Sequence, residues 1–323
     1  MDQTGPAARN AVRELQGRIN RDIIGQEKVV ERIVIALLAN GNVLLEGLPG
    51  LAKTRAIKSL SKNLESDFSR IQFTPDLLPS DVTGGEILRQ DGSFEFRKGP
   101  IFGNLILADE INRAPPKVQS ALLEAMEERH VTVAGKRYDL PPLFMVLATQ
   151  NPVEQEGTYH LPEAQLDRFL MQVLVDYPSH AEELKILELD NDRQREVPKP
   201  PANPLPQADL FAMRNAVAEL FISPKLNRYI VDLIQATRKP QNYDKDLARW
   251  CRFGASPRAI LALARCARAR AWLHGEPYVS PEHIQEIAAD ILRHRLLLTF
   301  EAEAEGVTSD DLIERLLSLV AIP

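Results

Sequence analysis

The chain has 323 residues, of which 44% are apolar and 26% are charged, and this composition and length predict a globular protein of about two domains. Its formal net charge of −6 leaves no overall basic surface, so nucleic acid is not expected as a partner unless the contact is local. The longest apolar run, residues 33–39, is too short to span a membrane, and residues 1–5 lack the features of a signal peptide, so we expect a cytoplasmic protein with no membrane span.

Helical stretches alternate with short apolar runs in the first part of the chain. Residues 1–22 are predicted to form an N-terminal helical segment, and residues 23–192 an α/β domain. The apolar runs are residues 43–45, 71–73, 105–108, 143–148 and 173–175. Such alternation is typical of a mainly parallel sheet that is covered by helices on both faces.

A glycine-rich loop follows the first apolar run. It consists of Gly47, Leu48, Pro49, Gly50, Leu51, Ala52, Lys53 and Thr54. Glycines let successive N–H groups point at phosphate oxygens, while Lys53 adds a charge for the β- and γ-phosphates and Thr54 a hydroxyl for Mg²⁺. Ala52 stands where the usual pattern has glycine, which lowers the specificity of the motif without cancelling it. The loop therefore favours a nucleoside triphosphate ligand over an accidental glycine-rich turn.

Two hairpins are predicted inside this domain. Residues 85–96 read as a hairpin that turns at Asp91-Gly92, and residues 131–138 as a second one. They are interpreted either as contact sites for other molecules or as ordinary surface hairpins.

Polar residues follow two further predicted strands. Asp109 and Glu110 end the apolar run 105–108, and Asn151 follows the strand predicted over 144–149. Parallel strands gather ligands at their carboxyl ends, so Asp109 is the candidate for holding Mg²⁺, Glu110 for activating water, and Asn151 for orienting that water or contacting the γ-phosphate. The alternatives are a chance acidic strand end and a turn residue before Pro152.

The last third of the chain changes in character. Residues 197–206 contain five prolines, which predicts an extended linker over 193–206. From residue 207 to 323 the periodicity is helical, with start signals at Ser223-Pro224, Ser256-Pro257 and Ser280-Pro281. Cys251 and Cys266 are expected to be a reduced, buried pair without a metal or disulfide role.

Several of these stretches resemble the MoxR family of AAA+ ATPases, and the resemblance covers nearly the whole chain. They are residues 22–26, 47–54, 109–116, 148–152, 161–169 and 254–259. The family often has alanine before the loop lysine, as here. The resemblance implies an AAA+ parallel-sheet P-loop core with helices on both faces, a C-terminal all-helical lid domain, and ATP with Mg²⁺ as ligands.

The resemblance also implies roles for residues outside the phosphate loop. Ile23 and Ile24 match the segment that borders the adenine, and Asn151 the first sensor. Arg168 matches an arginine finger, which acts on a neighbouring subunit. Arg258 matches the second sensor on the lid, from which it is expected to close the site of its own subunit.

The alternatives for these arginines are local ion pairs. Arg168 would pair with Asp167 or Glu163, and Arg258 with a neighbouring carboxylate that offsets its position in a first helical turn. Arg113 stays ambiguous between nucleotide sensing, a subunit contact and a solvated charge.

For function, the resemblance implies a homo-oligomer, expected as a hexameric ring, that couples ATP hydrolysis to remodelling or maturation of a protein client with a von Willebrand factor A domain partner. Metal or cofactor insertion is a related role, and a DNA-translocating motor is the alternative. The first hairpin mixes Arg89, Arg97 and Lys98 with acidic residues, which counts against DNA. A small-molecule kinase or GTPase is disfavoured, because no Asn-Lys-x-Asp guanine-reading motif is present and a trans-acting arginine would have no purpose in a monomer.

Overall fold

A parallel sheet of five strands forms the centre of the first domain in the computed structural model, which describes residues 5–48, 51, 53–152, 157–193 and 203–323. The strands are β1 (Val43–Gly47), β2 (Phe68–Gln72), β5 (Leu105–Asp109), β8 (Met145–Gln150) and β9 (Met171–Val175). Their order is β2-β5-β8-β1-β9, and every neighbouring pair is parallel. Each predicted apolar run contributes to one strand of this sheet, which confirms the predicted fold class.

The edge strand β2 begins three residues before its predicted apolar run at 71–73. Ile71 is its only buried residue, because an edge strand has a neighbour on one side and contributes less to the core. The apolar signal is therefore shorter than the strand itself.

Helices cover both faces of the sheet. They include α1 (Pro6–Asp22), α2 (Glu27–Leu38), α3 (Lys53–Asn63), α4 (Pro79–Thr83), α5 (Pro116–Glu128), α6 (Glu163–Leu166) and α7 (His180–Arg193). Side chains alternate along each strand, so Leu105 and Leu107 pack with α2 and α3, whereas Ile106 and Ala108 pack with α5 on the opposite face.

Two antiparallel hairpins extend from this core. One pairs β3 (Gly84–Leu88) with β4 (Phe94–Lys98), and the other pairs β6 (His130–Val133) with β7 (Lys136–Asp139). The first turns at Asp91-Gly92 as predicted, with Gly92 at φ +81° and the Asp91 carboxylate accepting a 2.9 Å hydrogen bond from the Ser93 N–H. The rings of Phe96 and Tyr138 stack with their centroids 3.9 Å apart, so the hairpins contact each other.

The second domain is predominantly helical. Its elements are α8 (Gln207–Glu219), α9 (Pro224–Arg238), α10 (Lys245–Trp250), β10 (Cys251–Phe253), α11 (Pro257–His274), α12 (Pro281–Leu292), β11 (Leu297–Leu298), α13 (Phe300–Ala304) and α14 (Ser309–Leu319). Ser223, Ser256 and Ser280 precede the three helices that were predicted to begin there. The short antiparallel pair β10–β11 is an addition to the predicted all-helical module.

The lid packs directly on the core. A single apolar cluster runs from α1, α2 and one face of the sheet into α9, α11 and α12. Helix α1 contacts α2, α3 and α11, and the Arg13 side chain donates two hydrogen bonds to the carbonyl oxygen of Leu273. Of the predicted linker at 193–206, residues 194–202 lie outside the described part of the chain.

The two cysteines carry no visible chemistry. Cys251 and Cys266 are free and buried, and burial raises the pKa of their thiols to about 11 and about 12. Both thiols are therefore protonated near neutral pH and weak nucleophiles. Within the described residues, no helix combines the length and the apolarity needed to cross a bilayer.

Candidate active site

The glycine-rich loop begins at the carboxyl end of β1 and leads into α3. Gly47 and Leu51 are buried, Leu48 is half-buried against the core, and Pro49, Gly50 and Ala52 lie outside the described residues. A Cβ on Gly47 would lie 2.4 Å from the carbonyl oxygen of Val175, so the close approach of β1 and β9 requires glycine there.

The Lys53 ammonium lies at the carboxyl ends of β1 and β8. It donates hydrogen bonds to the carbonyl oxygens of Gly47 at 2.5 Å and Gln150 at 3.5 Å. Burial lowers the pKa of Lys53, although the carboxylates of Asp109, Glu110 and Glu46 oppose that shift. A partly desolvated cation in this position is suited to an anionic ligand.

Asp109 is held from both sides at the end of β5. The Thr149 hydroxyl donates to Asp109 Oδ1 at 2.7 Å and accepts from the Glu110 N–H at 2.9 Å. Arg70, on the edge strand β2, contacts Asp109 Oδ2 at 2.6 Å through Nη2 and at 3.1 Å through Nε. Asp109 is only 9% exposed, and these contacts fix the orientation of its carboxylate.

Glu110 has a left-handed backbone, with φ 57° and ψ 52°. This conformation costs a non-glycine residue on the order of 1–3 kcal/mol and is frequent at functional sites. Its Oε2 accepts from Gln72 Nε2 at 2.9 Å and lies 3.2 Å from Arg113 Nη1. Arg113, which the sequence left ambiguous, therefore contacts the predicted water-activating group.

Part of the predicted phosphate loop and the predicted metal and adenine residues line one cavity of about 910 Å³, whereas Gly47 and Leu48 do not line it. Its lining includes Ile23, Ile24, Leu51, Lys53, Thr54, Asp109, Glu110, Thr149 and Asn151. Helix α7 closes part of it through Ile186 and Leu187. The cavity thus combines polar groups at the strand ends with an apolar side wall, a combination typical of ligand sites.

Arg168 and Arg258 do not line this cavity, so Arg258 lies outside the site that it was expected to close from the lid. Arg168 Nε lies 2.9 Å from one carboxylate oxygen of Glu127, and Arg258 contacts the other. Arg258 also lies 3.6 Å from Asp167 Oδ2, while Arg295 holds Asp167 Oδ1 at 2.8 Å. The intrasubunit partner of Arg168 is therefore Glu127, and neither Asp167 nor Glu163 as the sequence suggested.

The two arginines lie at the end of the sheet opposite to Lys53. Arg168 precedes β9, and the Leu170 N–H donates to the carbonyl oxygen of Asn42, just before β1 begins. A five-residue strand such as β9 is about 16 Å long. The carboxyl ends of the strands therefore carry the loop and the carboxylates, and the amino ends carry the arginine pair.

Sequence reasoning missed three parts of this arrangement. Arg70 and Gln72 lie on an edge strand whose charged residues give no sign of which groups they face. Glu127 lies near the end of α5 among other acidic residues. The exposed leucines of α7 were the one available signal that this helix borders a cavity.

Comparison with known proteins gives matches along most of the chain. The model of the ATPase family associated with various cellular activities (AAA) matches residues 42–171, and that of the AAA lid domain matches residues 248–316. Chaperone MoxR1 of Mycobacterium tuberculosis is 46% identical over 94% of this chain and 80% of its own length. Protein MoxR of Paracoccus denitrificans is 31% identical over 96% of both chains. The crystal structure of a candidate ATPase from Cytophaga hutchinsonii superposes with a TM-score of 0.90 at 45% identity, covering 98% of this chain and 96% of the other.

Proposed function

The chain belongs to the MoxR family of AAA+ ATPases and is an ATP-hydrolysing enzyme of chaperone type, and on that premise we propose an Mg²⁺-dependent site that is completed by a neighbouring subunit. The observation that carries the proposal is the division of the predicted groups between the carboxyl ends and the amino ends of the strands. Lys53, Asp109, Glu110 and Asn151 share one cavity, while Arg168 and Arg258 lie outside it.

The donor set of the cavity fits a hard divalent cation. Mg²⁺ takes oxygen ligands, and Thr54 and Asp109 offer a hydroxyl and a carboxylate there. Asp109 Oδ2 already has a cationic partner in the Arg70 guanidinium at 2.6 Å. Thr54 and Asp109 are the residues that would hold the ion, whose charge would offset that of the β- and γ-phosphates.

Within the subunit, the remaining groups have separate tasks in hydrolysis. Lys53 binds the β- and γ-phosphates, and Asn151 orients the attacking water. The water oxygen attacks the γ-phosphorus, its proton passes to the Glu110 carboxylate, and ADP departs with the electron pair of the broken P–O bond. Gln72 and Arg113 both contact Oε2 of Glu110, and these contacts orient its carboxylate in the resting chain.

From the adjacent subunit, Arg168 and Arg258 supply positive charge to the γ-phosphate. Both guanidiniums are held in the resting chain by the Glu127 carboxylate, which keeps them together. Each oxygen of that carboxylate contacts a different arginine, and two phosphate oxygens can take the same two partners, so exchange of partner at an interface is chemically matched. A closed ring, which we propose to be a hexamer, presents such an interface to every subunit.

The first hairpin supports a protein client over DNA. Ile87, Leu88 and Phe94 are exposed on it, and Arg89 is paired with Glu95 at 2.5 Å. Exposed apolar side chains suit contact with polypeptide, whereas a DNA motor needs a predominantly basic surface for the phosphates, and this hairpin also carries Glu86, Asp91 and Glu95. We therefore propose remodelling or maturation of protein complexes with a von Willebrand factor A domain partner, including complexes that receive a metal or cofactor, and keep the DNA motor as the alternative.

One experiment tests both halves of the proposal. The Glu110→Gln variant should bind ATP in the presence of Mg²⁺ and lose nearly all hydrolysis, and affinity capture of this variant with ATP should retain client and partner for identification. Unchanged hydrolysis by this variant would refute the assignment of Glu110. Capture of DNA, together with salt-dependent DNA stimulation of the wild-type ATPase, would favour the alternative motor.

A further inference from the structure

A second cavity, of about 470 Å³, lies between the core and the lid, away from the nucleotide site. The lid lines it with Phe211 and Arg214 of α8 and with Arg265 and Arg268 of α11, and the core with Asn40 and Pro142. Asn40 precedes β1 and Pro142 precedes β8, so this cavity is at the opposite end of the strands from Lys53. No carboxylate is among the described residues that line it.

The arginines of this cavity lack anionic partners. Among the described residues, neither Arg214, Arg265 nor Arg268 forms an ion pair, and the same holds for nearby Arg129. Each of the three lining guanidiniums instead donates through Nε to one backbone carbonyl, at 2.9, 3.4 and 3.0 Å respectively. Arginine has five N–H donors, so these contacts leave most of its capacity unused.

Two of these backbone contacts have a structural role. Arg214 donates to the carbonyl oxygen of Leu37 and Arg268 to that of Leu220, at the ends of α2 and α8, where cations complement the helix dipole. That role does not account for a shared cavity. The Arg214 Nη2 is buried and has no hydrogen-bond partner among the described residues.

Electrostatic repulsion accompanies this arrangement. Burial, together with the nearby charge of Arg129, lowers the pKa of Arg214 to about 10. Burial and the charge of Arg265 lower the pKa of Arg129 in the same direction. Arg214 and Arg129 are half-buried, and a bound anion would relieve both their partial desolvation and their mutual repulsion.

We propose that this cavity binds a small phosphate-bearing anion through Arg214, Arg265 and Arg268. Guanidinium groups match phosphate oxygens bidentately, and a volume of about 470 Å³ is that of a small-molecule site. Phe211 and Pro142 supply an apolar wall for the rest of such a ligand. The ligand would tie lid helices to the core, since its partners come from both.

The test uses the full chain with Lys53→Ala, so that the nucleotide loop contributes little to phosphate binding. Isothermal titration calorimetry with pyrophosphate and with inorganic phosphate, at constant ionic strength, should detect saturable binding at one site per chain. The additional substitution Arg268→Gln should weaken that binding about tenfold or more, as expected for loss of charge-assisted hydrogen bonds. Arg228→Gln is the matched control, because Arg228 is an exposed lid arginine outside the cavity lining.

Two results would overturn the proposal. One is the absence of saturable binding of either anion, and the other is equal affinity in the Arg268→Gln and Arg228→Gln variants. Arg265→Gln keeps the test decisive if Arg268→Gln fails to fold, because Arg265 is exposed and loses a single backbone contact. Tighter binding of pyrophosphate than of phosphate would indicate that more than one guanidinium contacts the ligand.

Discussion

Mixed rings of variant subunits can decide on which side of an interface Arg258 acts. Arg168 and Arg258 both contact Glu127, and neither lines the cavity that contains Lys53 and Glu110. If both act on the neighbour's nucleotide, Arg168→Ala and Arg258→Ala damage the same half of each interface. If Arg258 acts on its own subunit's nucleotide, the two substitutions damage opposite halves.

The expected activities follow from counting interfaces. In a one-to-one mixture of Glu110→Gln with either arginine variant, about one quarter of randomly assembled interfaces combine an intact Glu110 with an intact arginine pair. Hydrolysis should therefore recover to about a quarter of the wild-type rate. Each arginine variant alone should lose roughly 10³-fold or more, given the usual contribution of an arginine finger, and Glu110→Gln alone should lose nearly all hydrolysis. A mixture of Arg168→Ala with Arg258→Ala contains no interface with both arginines and should stay inactive.

The assay is steady-state phosphate release from subunits that are mixed before the oligomer forms, with size-exclusion chromatography to verify the oligomer. Mixtures of each variant with wild type control for subunit exchange. Recovery of about a quarter of wild-type activity in the Arg168→Ala and Arg258→Ala mixture would refute the shared placement of the two arginines.

Three further predictions concern single residues. Arg70→Met frees Asp109 Oδ2 from its cationic partner, and because the Arg70 side chain is 45% exposed, the lost pairing is worth about 0.2–1 kcal/mol. The Mg²⁺ concentration that gives half-maximal hydrolysis should therefore fall by at most about fivefold, and a rise in that concentration would contradict this. Burial holds the pKa of His294 well below its ordinary value, so only the unfolded chain takes up this proton as the pH falls below about 6.5. The free energy of unfolding measured with urea should then fall by up to ~1.4 kcal/mol per pH unit, and His294→Gln should remove this part of its pH dependence. Gly47→Ala places a Cβ 2.4 Å from a backbone oxygen and should cost about 1–3 kcal/mol of stability and weaken ATP binding, whereas Gly17→Ala, with nothing within 4 Å of its Cβ, should be neutral or stabilising.

The sequence predicts those parts of the site that depend on one strand and its following loop. Lys53, Asp109 and Asn151 each follow a recognisable apolar run, and because the carboxyl ends of parallel strands lie on the same side of the sheet, these residues are expected to lie together. The structure has all three around one cavity. No knowledge of the strand order was required for that inference.

Contacts between distant segments could not be predicted in this way. Arg70 and Asp109 are 39 positions apart on adjacent strands, and Glu127 and Arg258 are 131 apart on different domains. Nothing in the residues that flank either partner indicates the other, so the pairing has no local signal. The left-handed backbone of Glu110 is equally invisible, because it results from the turn that follows β5.

The proposed subunit interface meets the arginine-lined cavity between core and lid, here called the basic cavity, at Arg265. This residue lines both the basic cavity and the smaller cavity of about 280 Å³ that contains Glu127, Arg168 and Arg258. In the proposed ring, that smaller cavity faces the nucleotide of the next subunit, so an anion in the basic cavity would lie beside an active interface. Binding free energies are reciprocal: if ATP between subunits changes the affinity of the basic cavity for phosphate, phosphate must change the affinity for ATP by the same factor. A measured coupling factor of one would mean that the two cavities are energetically independent despite sharing Arg265.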